Sequence, residues 1–181
     1  HRIYNEKGRV ESSFIYNNGI LIGEGIVRKD GSKDGLWLSY YDSGKKKSKG
    51  FYKNNVKYGD WEYYYENGLI ESKGLYSVNG KQDSIWKEYY SHGGLREEIT
   101  YYEGIYEGLF VAYDDTGKVI VKGLYIDNYE DGYWFYNNGC FSQQGNYLQG
   151  QKIGEWKSYF NNKLIFKGSF QNGTPNGEHI F

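Results

Sequence analysis

Ring-bearing residues and glycines recur along this chain at fixed offsets, with polar residues between them. Tryptophans stand at positions 37, 61, 86, 134 and 156, in steps of 24, 25, 48 and 22. The step of 48 is two steps of 24, and Phe110 stands at its midpoint. Extension by 23 reaches Phe14 at one end and His179 at the other. A unit of about 24 residues therefore runs through the chain. A glycine lies two residues before the ring at Gly35, Gly59, Gly108, Gly132, Gly154 and Gly177, with Ser84 as the exception. A turn glycine follows at Gly19, Gly44, Gly68, Gly94, Gly117 and Gly139, with Asn162 in the copy of Trp156. Six residues on comes Gly25, Gly50, Gly74, Gly123, Gly145 or Gly168, with Thr100 as the odd one. Two further on sits Tyr52, Tyr76, Tyr102, Tyr125, Tyr147 or Phe170, with Val27 in the first copy.

Each copy reads as a β-hairpin. In Tyr64-Tyr65-Glu66-Asn67-Gly68-Leu69, strand formers flank an Asn-Gly turn, and glycine reaches the positive φ of a tight hairpin without steric cost. The second strand, Leu69 to Tyr76, ends in a looser link, Ser77 to Gln82, that feeds the next hairpin. The copies at Phe14 and Trp134 are two residues shorter from ring to turn, which preserves side-chain parity. Those at Trp86 and Trp156 differ by one residue, a change assigned to the turn. The fold expected is all-β: a single-sheet solenoid or meander of about seven stacked hairpins, about 14 strands and roughly 67 Å across at the usual strand spacing. One repeat domain covers 1–181. Residues 1–11 are a partial N-terminal unit or cap, 12–175 hold seven hairpin units, and 176–181 form a terminal capping strand.

Strand parity sorts the rings. Trp61 and Tyr65, four apart, share a face, and Tyr64 points the other way. Stacking then gives one ladder of Trp37, Trp61, Trp86, Phe110, Trp134 and Trp156, read as core, with the strand glycines leaving bare backbone for the rings. A second ladder on the opposite face holds Tyr40, Tyr64, Tyr89, Tyr113 and Tyr159. These tyrosines are the candidate binding residues, because a tyrosine row tolerates solvent at its hydroxyls. Gly44, Gly68, Gly117 and Gly139 complete the structural repeat as turn residues.

Composition narrows the class. Aromatic residues make up 20% of the chain, with 26 glycines, one proline, one cysteine and no methionine. Alanine and leucine are too scarce for a helical bundle, and no apolar run approaches the ~20 residues of a membrane-spanning helix. Cys140, alone, excludes an internal disulfide framework and a paired-cysteine metal site. The net charge of −1 gives no electrostatic push toward nucleic acid. A mean hydropathy of −0.83 suggests disorder until set against the ring content, which disordered chains lack. No secretory leader or initiator methionine is read at His1, and the compartment stays open.

The stretches GLWLSYYDSG, GDWEYYYENG, SIWKEYYSHGG, GLFVAYDDTG and GEWKSYFNN resemble MORN repeats, more narrowly the bacterial variant of the YwqK-type antitoxin family. The resemblance runs from about residue 12 onward. It implies a β-hairpin solenoid used for protein contacts and, in eukaryotic members, for association with membranes or lipids. Ser84, Thr100, Phe110 and the two short units depart from the pattern. Choline- and cell-wall-binding repeats also use glycine, tryptophan and paired tyrosines, but with adjacent rings and a period nearer twenty.

The sequence carries no catalytic or metal signature. His1, His92 and His179 form no i, i+4 pair, so no metal is expected. Asp30-Gly31-Ser32-Lys33-Asp34-Gly35 resembles the start of a calcium loop, yet its twelfth position is Tyr41, not glutamate. Cys140 follows a turn glycine and has no partner signature of a nucleophile. Lys45-Lys46-Lys47-Ser48-Lys49 is the densest basic run and reads as a solvated, aggregation-resisting surface. The expectation is a non-enzymatic protein-interaction scaffold, an antitoxin-like binder of a protein partner, without cofactor. The alternative is a surface-binding module that recognises glycan or lipid headgroups through the tyrosine ladder. Tyr40, Tyr64, Tyr89 and Tyr113 repeat, which suits a polymer. Leu38, Glu62, Lys87, Val111, Phe135 and Lys157, one residue after each ring, vary, which suits an aperiodic protein partner.

Overall fold

A computed structural model describes residues 1–180, and Phe181 lies outside the described residues, as do the side chains from Glu178 onward. Among the described residues every regular element is a strand. The chain divides into two compact units, 1–93 and 94–181. The first carries β1 (Arg2–Tyr4), β2 (Val10–Asn17), β3 (Ile20–Val27), β4 (Lys33–Tyr40), β5 (Lys46–Lys53), β6 (Val56–Tyr64), β7 (Ile70–Tyr76) and β8 (Gln82–Tyr89). The second carries β9 (Leu95–Tyr102), β10 (Ile105–Tyr113), β11 (Val119–Ile126), β12 (Tyr129–Asn137), β13 (Phe141–Leu148), β14 (Gln151–Phe160), β15 (Lys163–Gln171) and β16 (Thr174–Ile180). Within each unit the strand order is the sequence order, and neighbours pair antiparallel. The all-β hairpin meander expected from the repeat is the fold observed. β1 falls in the first eleven residues, and of the strand expected over 176–181, residues 176–180 lie in β16 while Phe181 is outside the described residues.

The glycine two residues before each ring makes a bulge. Lys49 pairs with Glu62 and Phe51 with Tyr58, so Gly50 alone faces Gly59, Asp60 and Trp61. Gly59 takes φ 66°, in the left-handed region, which an L-residue enters at a cost of about 1–2 kcal/mol. Ser84 occupies the same place with φ 58°, and its amide donates to the Asp83 carboxylate at 2.9 Å. The extra residues swing the following tryptophan over the neighbouring strand glycine.

Three sequence expectations need correction. The turn glycine of the Trp86 copy is Gly93, with φ 94°, and not Gly94. Ring and turn are then seven residues apart, as in the common form. Six residues beyond Gly93 stands Ile99, and Ile99 pairs with Phe110. Ile99, not Thr100, therefore occupies the strand-glycine position, and Tyr101, not Tyr102, the ring two beyond it. An isoleucine fits there because Phe110 is smaller than tryptophan. The second correction concerns the turns. Asn67-Gly68 belongs to a wide turn, in which the Tyr65 amide donates to the Leu69 carbonyl and the Gly68 amide to the Tyr65 carbonyl. The tightest connections are instead several links between hairpins. At Asn54-Asn55 and Asp127-Asn128 both residues have positive φ, the two-residue turn whose twist matches the strands.

Tyr65 also departs from its expected face. It lies beyond the end of β6 and donates its hydroxyl to the Tyr89 carbonyl of the next hairpin at 2.6 Å. Tyr41 does the same to the Tyr64 carbonyl. Trp61 shares its face with Tyr63 instead, the rings 5.8 Å apart.

Candidate interaction faces

The five tryptophans, with Ile99, Val111 and Ala112, are the buried apolar residues among those described. Each tryptophan is at most 3% exposed, and Phe110 is half-buried. The indoles lie flat on the bare backbone of the preceding strand. A Cβ built on Gly50, Gly74, Gly123 or Gly145 would come within 2.0–2.3 Å of the nearest indole carbon. The indole N–H groups of Trp61, Trp86, Trp134 and Trp156 donate to the carbonyls of Phe51, Leu75, Leu124 and Asn146. Tyrosines of the second strands close in edge-on, Tyr52 at 5.1 Å and Tyr76 at 5.9 Å from Trp61. Gly44, Gly68, Gly117 and Gly139 all sit in exposed turns with positive φ.

Lysines complete this face, a feature the sequence reading missed. Lys33 lies 4.4 Å from the centre of the Trp37 ring, Lys57 4.5 Å from Trp61 and Lys152 4.0 Å from Trp156. Burial lowers the pKa of all three, while the rings attract the charged form. A readable signal existed. Each lysine stands two residues before the bulge glycine, in Lys33-Asp34-Gly35, Lys57-Tyr58-Gly59 and Lys152-Ile153-Gly154.

On the other side of the sheet stand the candidate tyrosines. Tyr40, Tyr64 and Tyr89 belong to the first unit and Tyr113 and Tyr159 to the second, all half-buried. Their hydroxyls are engaged: Tyr40 donates to Glu24 at 2.7 Å, Tyr64 to Glu62 at 2.6 Å and Tyr113 to Glu98 at 3.1 Å. Burial and the adjacent carboxylate push Tyr40 and Tyr64 up to about 12. Lys46 lies over the Tyr64 ring and Lys73 over Tyr89. The copy of Trp134 has Asn137 at this position, so the row is interrupted there.

Beside these tyrosines the first unit holds a groove of about 720 Å³. Its floor is apolar, with Leu36, Phe51, Leu75 and Ile85, and the strand glycines Gly50 and Gly74 line it beside Trp61. Leu36, Phe51 and Ile85 are 44%, 38% and 55% exposed. Register sets the residues in rows. Leu36 pairs with Phe51 and Asp60 with Leu75. One step along the strands, Lys49 pairs with Glu62, Glu62 with Lys73, and Lys73 with Lys87. Two lysines directly opposite one another are unfavourable in isolation, and with Lys49 they make this row cationic. In the second unit Leu109 pairs with Leu124 at the corresponding positions, both exposed, and the positions turn polar only in the later copies, with Asn146, Glu155 and Ser169.

In comparison with known proteins, the model of the MORN repeat variant family matches residues 33–54, 57–77, 82–101, 106–127 and 152–172. No curated protein matches the chain.

Proposed function

The chain belongs to the MORN repeat variant family, generally a non-catalytic binding module, and from that premise we propose that it is a non-enzymatic scaffold that docks a partner protein. The observation that carries this reading is the groove of the first unit, where exposed Leu36, Phe51 and Ile85 adjoin the lysine row. Apolar anchors supply affinity and rim charge supplies selectivity. The partner segment is therefore apolar on the side it presents and acidic where it meets Lys49, Lys73 and Lys87. The apolar pair recurs at Leu109 and Leu124 but gives way to Asn146, Glu155 and Ser169 in the last copies, which suits an aperiodic protein. An antitoxin-like role, with a toxin or another effector as the partner, rests on the sequence resemblance.

The second reading, a glycan or lipid-headgroup surface formed by Tyr40, Tyr64, Tyr89, Tyr113 and Tyr159, is supported by the repetition of one ring at one register. Carboxylates already hold three of these hydroxyls, which favours the groove. The test is capture from fractionated source cells by the wild-type chain and by Phe51→Asp and Lys73→Glu. A discrete protein held by the wild type and lost at least tenfold by both variants, with circular dichroism unchanged, is the expected result. Equal capture by the variants sinks the groove. Retention only on membrane or wall material moves the function to the tyrosine row.

A further inference from the structure

One copy of the repeat replaces the lysine over its tryptophan with an acid. Lys57 precedes Gly59 by two residues and pairs across the strands with Tyr52. Glu130 precedes Gly132 by two residues and pairs with Tyr125 in the same register. Three of the rings around the two positions correspond, and Trp134 also carries Phe110 stacked at 6.1 Å, a contact without a counterpart at Trp61 among the described residues. Tyr52 meets Trp61 edge-on at 5.1 Å, and Tyr125 meets Trp134 edge-on at 4.9 Å. Trp61 and Tyr63 are 5.8 Å apart, as are Trp134 and Tyr136. Tyr76 stands 5.9 Å from Trp61, and Tyr147 stands 6.2 Å from Trp134.

In the first cage the occupant is internal. The Lys57 ammonium lies 4.5 Å from Trp61, 5.1 Å from Tyr63 and 5.2 Å from Tyr76, and it donates to the Tyr63 hydroxyl at 2.7 Å. Among the described residues no lysine or arginine lies over Trp134. The Glu130 carboxylate has no hydrogen bond or ion pair among the described residues. Its charge adds to burial in raising the pKa of Tyr125 and Tyr136. Three ring faces and an uncompensated carboxylate thus surround the place that an ammonium fills in the sister copy.

We propose that Trp134, Tyr136, Tyr147 and Glu130 form a binding site for an alkylammonium group, the chemistry that Lys57 supplies from within the chain. Cation–π attraction strengthens when the cation is desolvated, and a half-buried acid gains most from a counter-charge. Trp134 is 1% exposed, so an ammonium reaches its ring only when the packed neighbours, the half-buried Glu130 among them, move aside. The entering ammonium then takes the position of the Lys57 nitrogen, donates to Tyr136 and pairs with Glu130. The group is carried by a free amine or by a lysine of another protein. The site is independent of the groove.

The probes are n-butylammonium chloride and Nα-acetyl-lysine N-methylamide, titrated against sodium chloride of equal ionic strength. The readout is the indole 1H–15N signals of the five tryptophans. A saturable shift confined to Trp134, with Kd in the millimolar range, is expected. Glu130→Gln weakens binding, and Glu130→Lys, which installs the residue native to three other copies, lowers affinity about tenfold or more. Conversely, Lys57→Glu creates a second saturable shift at Trp61. Saturation by butylammonium alone assigns a free amine, and saturation by the lysine amide as well assigns a lysine side chain. A flat Trp134 signal, or undiminished affinity in Glu130→Lys, overturns the site.

Discussion

Gly123→Ala probes the packing on which every copy depends. Gly123 has ordinary extended backbone, so the substitution costs nothing in φ, and only space is at stake. The added Cβ would fall 2.0 Å from Cδ2 and 2.1 Å from Cε2 of Trp134. Pairing of Lys122 with Phe135 and of Leu124 with Asp131 holds both backbones, leaving the indole to lift off its strand. Trp134 is 1% exposed and its N–H donates to the Leu124 carbonyl at 3.1 Å. Losing a buried tryptophan costs about 3–5 kcal/mol, and the hydrogen bond adds about 1 kcal/mol. We expect the second unit to lose about 3 kcal/mol or more, read by urea denaturation with tryptophan fluorescence. The chain contains its own control, because Ile99 and Phe110 fill the same two positions elsewhere. Gly123→Ile combined with Trp134→Phe should recover about 2 kcal/mol or more relative to Gly123→Ile alone. A loss below about 1 kcal/mol for Gly123→Ala, or no recovery in the double variant, refutes the argument that ring and glycine are matched by volume.

Two further outcomes follow from the same structure. Ser84→Gly removes the left-handed strain at φ 58° and should stabilise the first unit by about 0.5 kcal/mol after the greater unfolded-state freedom of glycine is counted; an unchanged urea midpoint contradicts it. The second concerns alkaline pH. Tyr40 and Tyr64 ionise near 12 in the folded chain, and Tyr63 and Tyr136 are raised as well. Unfolded tyrosines ionise near 10, so between about pH 10 and 12 the folded state holds protons that the unfolded state has released. The stability from these four groups is complete below pH 10 and falls as pH rises to 12. The depressed lysines Lys33, Lys57 and Lys152 act oppositely, because the folded state releases its protons first and stability rises toward their ordinary value. Tyrosinate absorbance against pH should show a late-ionising fraction that disappears on unfolding; one ordinary transition for all tyrosines would contradict it.

Period, strand class and ring ladder were legible in the sequence because each copy solves the same local problem with the same residues. Asn-Gly and the paired rings declare strand and turn without reference to distant partners. Register was not legible where two candidates adjoined. Gly93 and Gly94 are chemically identical, and only the backbone, with positive φ at Gly93 alone, decides which one turns the chain. That choice moves Ile99 under Phe110 and turns two apparent departures from the repeat into one compensated exchange. The faces follow the same logic. Parity separates Tyr64 from Trp61 but fails for Tyr65, because β6 ends at Tyr64 and alternation stops with it.

What the sequence determined by itself was therefore the unit and its arrangement as a meander, since both follow from local propensity repeated at one interval. Tertiary structure decided what each unit does with its surroundings. The bulges place each tryptophan over a neighbour's backbone. The lysines reach those rings from the preceding strand segment. Leu36, Phe51, Leu75 and Ile85 come from four strands and join as one groove floor. The tryptophan placement and the groove depend on contacts between strands, whose energy lies in the space between them and is encoded in no single stretch of the chain.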